Sequence, residues 1–519
     1  MRVTFLGHAG LFVETCGGSV LCDPWFTPAY FGSWFPFPRN DRLPLDSFTS
    51  PDYLYVSHLH RDHFDREFLA RVDRRARVLL PEFRVPFLER ALRELGFEHF
   101  VRTQHAKAVE LDDLEITVFA MTAPSDGPLG DSAIVIADDS ARVLNQNDAR
   151  PGDPAEIEAL GPFDAHFLQF SGASWFPIAY DFTAAEQSRL ASEKRANGMD
   201  RAERYVAMMG AACVFPSAGP PCFLDDELWM LNDFDGEADN IFPDQTVFLA
   251  RLHQAGVDAR LVVPGTVVHV DSGTSTVEQP ASHDALIEPF RDKRAYLEQY
   301  RADWKPWLVA ERDSWSHGGH DVVAELKSWF EPLLADAPLT RSGIDGHVLL
   351  HLGDIGVVID FVHGEVREWN GEELVYRLDV DRALVEACIE RRLDDWVNSL
   401  LLSCRFRAHR RGPFNEYVHT FFKSLTPERM AYVEAHYRER LRRGETFERD
   451  GWRLQRRCPH RQADLSRFGT IVDGLLHCAV HDWEWDLVTG RCLTSDGHEV
   501  TCEWIGGEAG PAGPPGAAR

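Results

Sequence analysis

Two cysteine–histidine pairs near the C-terminus have the residue types and the spacing of a metal-cluster site. One residue separates Cys458 from His460, and two residues separate Cys478 from His481. Two thiolates and two imidazoles in this order are the ligands of a Rieske 2Fe–2S cluster, in which the cysteines hold one iron and the histidines the other. Such a cluster transfers single electrons, so the sequence predicts a redox protein.

Zinc is the alternative ion for these four ligands, because zinc also accepts two cysteines and two histidines. The spacing is not that of a zinc finger, which favours the cluster. Between the pairs, residues 468–476 predict two short strands joined by a turn at Asp473-Gly474, and this hairpin would hold the two ligand loops face to face. Aromatic and apolar side chains that could shield the cluster follow at Trp483, Trp485 and Leu487.

A second group of ligand-type side chains follows a predicted strand at residues 53–56. Its members are His58, His60, Asp62 and His63. Mixed imidazole and carboxylate ligands suit iron, zinc or manganese. Beside an electron-transfer cluster, this group predicts a redox centre with one or two non-haem irons, and zinc is the alternative.

This segment resembles the metallo-β-lactamase superfamily, as do Gly7-His8-Ala9-Gly10 and Asp23-Pro24-Trp25. The resemblance implies that Asp23 supports the ligand loop from behind. It also implies a bridging carboxylate at the end of a later strand, where Asp148 fits.

The chain departs from the hydrolase pattern at two positions where that superfamily has further histidines. The segments found there are Ala123–Gly127 and Phe215–Gly219. Asp126, in the first, is a candidate substitute ligand and, together with Asp148, a candidate catalytic carboxylate, whereas Ser217 and Ala218 are not strong ligands. Open metal positions are what O₂ needs. His269 and His317 are weaker ligand candidates.

Length and composition limit the possible number of domains, the partners and the location of the protein. The chain has 519 residues and a net charge of −28, which predicts two to four domains and argues against nucleic acid as a partner. It has no run of eighteen apolar residues, so no membrane span is expected. The ten cysteines show no disulfide framework, which favours a cytoplasmic location.

The predicted elements form an α/β protein of three domains. Strands followed by alternating strands and helices are typical of an αββα sandwich. A middle α+β domain, with one helix predicted over residues 381–399, and a small all-β Rieske domain follow it. A long charged amphipathic helix is predicted around residues 184–209 of the first domain. The predicted boundaries are 1–277 for the metal domain, 278–446 for the middle domain, 447–505 for the Rieske domain and 506–519 for a disordered tail.

A metallo-β-lactamase-like domain joined to a Rieske domain resembles the family of CMP-N-acetylneuraminate hydroxylases. The Rieske domain stands last here, as in the actinobacterial UDP-N-acetylmuramic acid hydroxylases, whereas the sialic-acid enzymes place it first. Segments that share this resemblance are Ser171–Trp175, Pro216–Leu224, Asp394–Ser399 and Gly412–Glu416.

The resemblance implies hydroxylation of the N-acetyl methyl group of a nucleotide sugar, from UDP-N-acetylmuramic acid to its N-glycolyl form. The partners would be O₂ and a ferredoxin or an NAD(P)H-dependent reductase. Two other classes stay open. One is a hydrolase that uses the cluster as a sensor or structural element, and the other is an electron carrier or O₂/NO reductase. The oligomeric state stays open as well, with a homo-oligomer among the alternatives.

Arginines are the expected contacts for the pyrophosphate and carboxylate of such a substrate. The densest basic cluster contains Arg405, Arg407 and Arg410, and Arg39 with Arg42 is a second option. Aromatic side chains that could line a pocket are Phe35, Phe37, Trp175 and Tyr180.

Overall fold

The computed structural model describes residues 1–172, 174–234, 236, 239–315, 318–440 and 444–506. His317 and nearly all of the predicted tail lie outside these residues. Among the described residues, none of the helices combines the length and the apolar character that a membrane crossing requires.

The first domain is built from two facing sheets. The first sheet has the strand order β14-β13-β1-β2-β3-β4-β5-β6, and the second has the order β12-β11-β10-β9-β8-β7. The strands are β1 (Arg2–Gly7), β2 (Gly10–Thr15), β3 (Gly18–Cys22), β4 (Tyr53–Tyr55), β5 (Arg77–Leu80), β6 (Phe100–Arg102), β7 (Ala108–Leu111), β8 (Leu114–Met121), β9 (Asp131–Ala137), β10 (Arg142–Asn147), β11 (Ala165–Gln169), β12 (Cys213–Ser217), β13 (Val267–Asp271) and β14 (Thr274–Glu278).

Helices cover the outer faces of these sheets. They are α1 (Arg66–Leu69), α2 (Phe87–Glu94), α3 (Ala155–Glu158), α4 (Ala184–Met209) and α5 (Gln245–Gln254). Val3, Ile116 and Val143 pack between the sheets, while Phe68 and Leu92 pack on the outside of the first sheet. Strands with two covered faces are apolar almost throughout, as β9 is. The predicted αββα sandwich is therefore confirmed.

The middle part of the chain folds around a five-stranded sheet of order β17-β16-β15-β18-β19. Its elements are α6 (His283–Arg291), α7 (Lys293–Asp313), α8 (Val322–Ala335), α9 (Pro338–Ile344), β15 (His347–His351), β16 (Gly356–Asp360), β17 (Glu365–Glu368), β18 (Tyr376–Val380), α10 (Arg382–Glu390), β19 (Phe406–Arg410), α11 (Glu416–Lys423) and α12 (Pro427–Arg440). Leu297, Tyr300 and Leu308 of α7 pack on Phe35 and Leu224 of the first domain.

One helix was expected over residues 381–399, and the structure corrects this. α10 ends where Arg392 adopts a left-handed conformation (φ 48°), which is costly inside a helix for a side chain with a Cβ. A π-helical turn, Val397–Leu401, follows separately. Asp394 and Asp395 between them face the guanidinium of Arg429.

The C-terminal domain contains two three-stranded sheets, β20-β21-β25 and β22-β23-β24. Its elements are β20 (Thr446–Arg449), β21 (Trp452–Gln455), α13 (Leu465–Phe468), β22 (Gly469–Val472), β23 (Leu475–Cys478), β24 (Trp483–Asp486) and β25 (Cys502–Trp504). The predicted hairpin turn is present, because Asp473 and Gly474 both have positive φ, 51° and 79°, as a type I′ turn requires.

The C-terminal domain and the first domain share one apolar core. Leu454, Leu476 and Trp485 belong to the same buried cluster as Tyr205 of α4 and Phe248 of α5. The ring of Tyr205 lies 5.8 Å from that of Phe468. The C-terminal domain is thus packed on the sandwich through a buried apolar surface.

Candidate metal centre and cluster site

The carboxyl ends of several strands meet at one edge of the sandwich, and ligand-type residues follow them. β1, β3 and β4 point the same way in the first sheet. His8 follows β1, Asp23 follows β3 and the segment from Ser57 to His63 follows β4. In the second sheet, Asp148 follows β10. Ligand-type side chains of distant sequence position are therefore brought to one place.

Two groups of donors form at this edge. His58, His60 and Asp148 form the first group, and His8, Asp62 and His63 form the second; within each, the ligand atoms lie within 4.8 Å of one another. Nε2 of His58 and Nδ1 of His60 are 2.7 Å apart, as two nitrogens facing one ion would be. The structure thus brings together all five predicted ligands.

His8 is a donor that the sequence reasoning missed. Its Nε2 lies 3.1 Å from Oδ2 of Asp62, and its Nδ1 lies 3.0 Å from the carbonyl oxygen of Gly219. His8 completes the second group without a ligand at Ser217. A histidine directly after the first strand was a usable signal, because β1 ends at the same edge as β4.

Asp23 lies behind the ligand loop, as the resemblance to the metallo-β-lactamase superfamily implies. Oδ1 accepts a hydrogen bond from the backbone N–H of Ser57 (2.7 Å), and Oδ2 lies 3.1 Å from Nδ1 of His63. Tyr30 donates from its hydroxyl to Oδ1 of Asp62 at 2.6 Å. Such contacts orient metal ligands and fix the tautomer of the histidine.

The donor set fits a bound cation. Nε2 of His63 and Oδ1 of Asp148 lie 3.5 Å apart, and both are buried without a hydrogen-bond partner among the described residues. Burial opposes protonation of His63, but Asp148, Asp23 and Asp62 outweigh it and raise the pKa of His63 to about 10. The buried carboxylates therefore leave an excess of negative charge at this centre, which a bound cation would neutralise. Imidazole and carboxylate ligands together suit iron or zinc.

Asn398 of the middle domain reaches this centre. Its Oδ1 lies 2.8 Å from Nε2 of His60, and its Nδ2 donates to Oδ2 of Asp395 at 2.7 Å. Asn398 sits within the π-helical turn, a feature common at functional sites. Burial, followed by the neighbouring His58, lowers the pKa of His60 to about 3, so His60 is neutral and able to bind a metal.

Replacing Asn398 with alanine is expected to weaken iron binding at this centre by about 10- to 100-fold, because the ring of His60 loses the partner that orients it. Iron retention against a chelator, measured on the purified protein, checks this. Asn370→Ala, in an exposed loop, is the matched control and should behave as wild type. Equal iron retention in the two variants would contradict a positioning role for Asn398.

The four predicted cluster ligands also converge. Cys458 and Cys478 are fully buried, and the rings of His460 and His481 lie 4.8 Å apart. Trp483 stacks on His460 at 3.9 Å between ring centres. Nδ1 of His481 is buried and makes no hydrogen bond to a described residue. Two thiols and two close imidazoles fit a Rieske cluster.

Arg461 lies between the two sites. Its Nη1 is 3.2 Å from Nε2 of His481 and 3.4 Å from Oδ1 of Asp126. Burial raises the pKa of Asp126 to about 6 although Arg461 opposes this. Asp126 therefore pairs with Arg461 and belongs to neither donor group, which corrects its assignment as a substitute ligand. The Asp126 loop is held by Lys423, whose ammonium donates to the carbonyl oxygens of Ser125 (3.1 Å) and Gly127 (2.8 Å).

Both sites open into one cavity of about 660 Å³. His60, Asp62 and Asp148 line it on one side, and His481 and Trp483 on another. Ligand sites have volumes of about 300–1,000 Å³. Residues of the first domain, the middle domain and the C-terminal domain of one chain line this cavity.

The structure corrects several of the predicted substrate contacts. Arg405 is buried in ion pairs with Asp225 (3.1 Å) and Glu227 (3.0 Å), and Arg407 is exposed away from the cavity. Only Arg410 of that cluster lines the cavity, where its guanidinium lies over Tyr180.

Other weak candidates are placed as follows. Arg39 pairs with Asp41 and Asp303, and Arg42 reaches Asp303 from an exposed position. His269 pairs with Glu278 at the surface, so it is not a ligand of this centre. Trp175 and Tyr180 line the cavity, whereas Phe35 and Phe37 do not.

A metal-binding αββα sandwich followed by a domain with Rieske ligands defines the class of the protein. Family models match a beta-lactamase superfamily domain at residues 2–134, an Rv3818-like, SCP2-like domain at 322–439 and a Rieske [2Fe-2S] domain at 448–502. The chain belongs to the family of the mycobacterial proteins provisionally named Rieske 2Fe-2S iron-sulfur proteins.

Two relatives show this membership. The chain is 44% identical over 517 residues to the protein of Mycolicibacterium smegmatis, with 97% of this chain and 100% of the relative covered. It is 43% identical over 511 residues to Rv3818 of Mycobacterium tuberculosis, with 96% and 99% covered.

Solved structures align with parts of the chain. CmlA, a diiron β-hydroxylase from Streptomyces venezuelae, is 19% identical with a TM-score of 0.36, covering 54% of each chain. Igni18, a metallo hydrolase from Ignicoccus hospitalis, is 18% identical with a TM-score of 0.36, covering 54% of this chain and 99% of its own.

Proposed function

We propose that the protein is a Rieske-coupled non-haem iron oxygenase that hydroxylates the N-acetyl methyl group of UDP-N-acetylmuramic acid. The observation that supports this most directly is the shared cavity, into which a cluster histidine and a metal centre both open. An oxygenase needs both an electron supply and an oxygen-activating metal next to its substrate. A hydrolase does not need an electron supply.

The chemistry requires this combination. A methyl C–H bond next to an amide carbonyl is not broken by the side-chain acids and bases of the cavity, whereas iron with O₂ and electrons supplies an oxidant. One oxygen atom enters the methyl group and the other leaves as water, with two electrons and two protons consumed. We propose that a ferredoxin or an NAD(P)H-dependent reductase supplies the electrons, in the cytoplasm.

The residues of the chain have distinct roles in this proposal. His58, His60, Asp148, Asp62 and His63 hold the iron, and His8 completes the second donor group. Cys458, Cys478, His460 and His481 hold the cluster. Arg461 spans the gap between His481 and the Asp126 loop, so electron transfer within one chain is the proposed route.

The decisive experiment is a product assay with labelled oxygen. Iron-loaded protein is mixed with UDP-N-acetylmuramic acid, ¹⁸O₂ and a ferredoxin–reductase pair, and the sugar is analysed by mass spectrometry. We expect one ¹⁸O atom in the acetyl group and one product for every two electrons. If the protein consumes O₂ and reductant only when another N-acyl compound is added, the proposed substrate is wrong and the assignment as an oxygenase stands.

One observation favours the hydrolase as a second candidate. The second donor group is complete because of His8, so the absence of histidines at residues 123–127 and 215–219 does not leave the centre without ligands. Zinc in the donor groups, iron only in the cluster and hydrolysis without O₂ would establish that function instead.

A further inference from the structure

Three cationic side chains share one wall of the cavity: Arg150, Lys194 and Arg201. Lys194 and Arg201 are seven residues apart on α4, so they lie on one face of that helix. Arg150 comes two residues after Asp148, beyond the end of β10. Side chains from two elements are thus directed to the same space beside the metal centre.

These cations have few partners in the described part of the chain. Nζ of Lys194 donates to the carbonyl oxygen of Phe176 at 2.9 Å, and Nη1 of Arg201 donates to that of Val480 at 3.3 Å. Arg150 makes no hydrogen bond or ion pair with a described residue. An ammonium has three N–H donors and a guanidinium five, so most donors of this wall are available.

Their positive charge is only partly balanced. The one carboxylate within 4 Å of any of the three, among described residues, is Asp482, whose Oδ2 lies 3.9 Å from Nη1 of Arg201. Glu193, also on the cavity wall, is paired with Arg189 at 2.7 Å. Three cations and one carboxylate leave a formal charge of +2.

Burial makes this charge costly. The side chain of Arg201 is only 8% exposed. Burial, followed by repulsion from Arg150, lowers the pKa of Lys194 to about 7 and that of Arg201 to about 10. A bound anion would remove the repulsion that lowers both values, since an opposite charge favours the protonated cation.

We propose that Arg150, Lys194 and Arg201 bind the diphosphate of the nucleotide-sugar substrate. The inference rests on the proposed function and assigns this part of the substrate to this wall. A diphosphate diester has two negative charges and would neutralise the formal charge of +2 on this wall. A single carboxylate would neutralise only half of that charge. Guanidinium groups bind phosphate oxygens in pairs.

Calorimetry on the iron-loaded, full-length protein tests the site, with UDP as the probe. In Lys194→Met and in Arg150→Gln, UDP should bind about 10- to 100-fold more weakly, as expected on loss of a hydrogen bond to a charged group. Arg204→Gln is the matched control, because this exposed arginine is on the same helix, is in no ion pair with a described residue and does not line the cavity. Its UDP affinity should stay within twofold of wild type.

Arg201 is not the primary variant, because it also contacts the cluster loop at Val480. Equal UDP affinities in wild type and Lys194→Met would overturn the site. Phosphate that binds directly to the metal would give this result. Free N-acetylmuramic acid serves as a second probe. If that acid, and not UDP, loses affinity in Lys194→Met, the wall binds the carboxylate and the diphosphate assignment is wrong.

The outcome separates this inference from the proposed function, because UDP binding needs no turnover. Lys194-dependent UDP binding without hydroxylation of UDP-N-acetylmuramic acid would support the site and refute the function. Hydroxylation by Lys194→Met with an unchanged KM would support the function and refute the site.

Discussion

Replacing Asp148 with alanine is expected to remove iron from the metal centre and to lower the rate of the proposed hydroxylation by about a thousand-fold or more. Oδ1 of Asp148 lies 3.5 Å from Nε2 of His63 and 3.9 Å from Nδ1 of His58, so one carboxylate serves both donor groups. Loss of an outer contact to a ligand costs about 10- to 100-fold, and loss of a shared ligand should cost more.

The cluster should be unaffected by this change, because its ligands are in another domain. Iron analysis, the visible absorbance of the cluster and the rate of product formation measure the three effects separately. Asp139→Ala, an exposed carboxylate in the turn before β10, is the matched control. Retention of the non-cluster iron by Asp148→Ala, with turnover within tenfold of wild type, would show that Asp148 is not a ligand.

Replacing Arg461 with methionine is expected to slow product formation by about 100-fold while the cluster still forms and accepts electrons. Arg461 is the side chain that contacts both His481 and Asp126. Methionine fills part of the same space but makes neither contact. Removing a positive charge beside the cluster should also lower its reduction potential by about 60 mV, since a tenfold change in a one-electron equilibrium corresponds to 59 mV.

Stopped-flow absorbance at the cluster separates electron entry from electron exit. Entry from the reductase should be close to the wild-type rate, and reoxidation with substrate and O₂ should be slow. Arg453→Met, an exposed arginine of β21 paired with Glu448 and Glu503, controls for loss of surface charge. A normal reoxidation rate and an unshifted potential in Arg461→Met would exclude this route.

Most ligands were predictable because their motifs are local, whereas Asp148 was identified only through the resemblance to the metallo-β-lactamase superfamily. Cys458 and His460 fall in one loop, and His58 to His63 fall in another, so spacing alone identified them. Strands such as β9 and β15 were recognisable by their apolar runs. The helix α4 was predicted with the bounds that the structure shows, since Thr183 caps its start and Gly210 ends it in a left-handed conformation.

The parts that sequence reasoning missed depend on contacts between distant segments. His8 becomes a donor only because β1 and β4 end at one edge. Asn398 reaches His60 across 338 positions, and no local pattern signals this. Arg405 is the reverse case: a basic cluster suggested an exposed anion site, but folding buries its guanidinium against Asp225 and Glu227.

The apolar core shared by the Rieske domain and helices α4 and α5 has a consequence for how such proteins evolve. What places the cluster beside the metal is side-chain packing such as that of Tyr205 on Phe468, and not the point at which the polypeptide connects the domains. Gene rearrangements can therefore move the Rieske module along the chain without separating the two metal sites, provided that the packing face is retained. Selection should preserve that face more strictly than domain order.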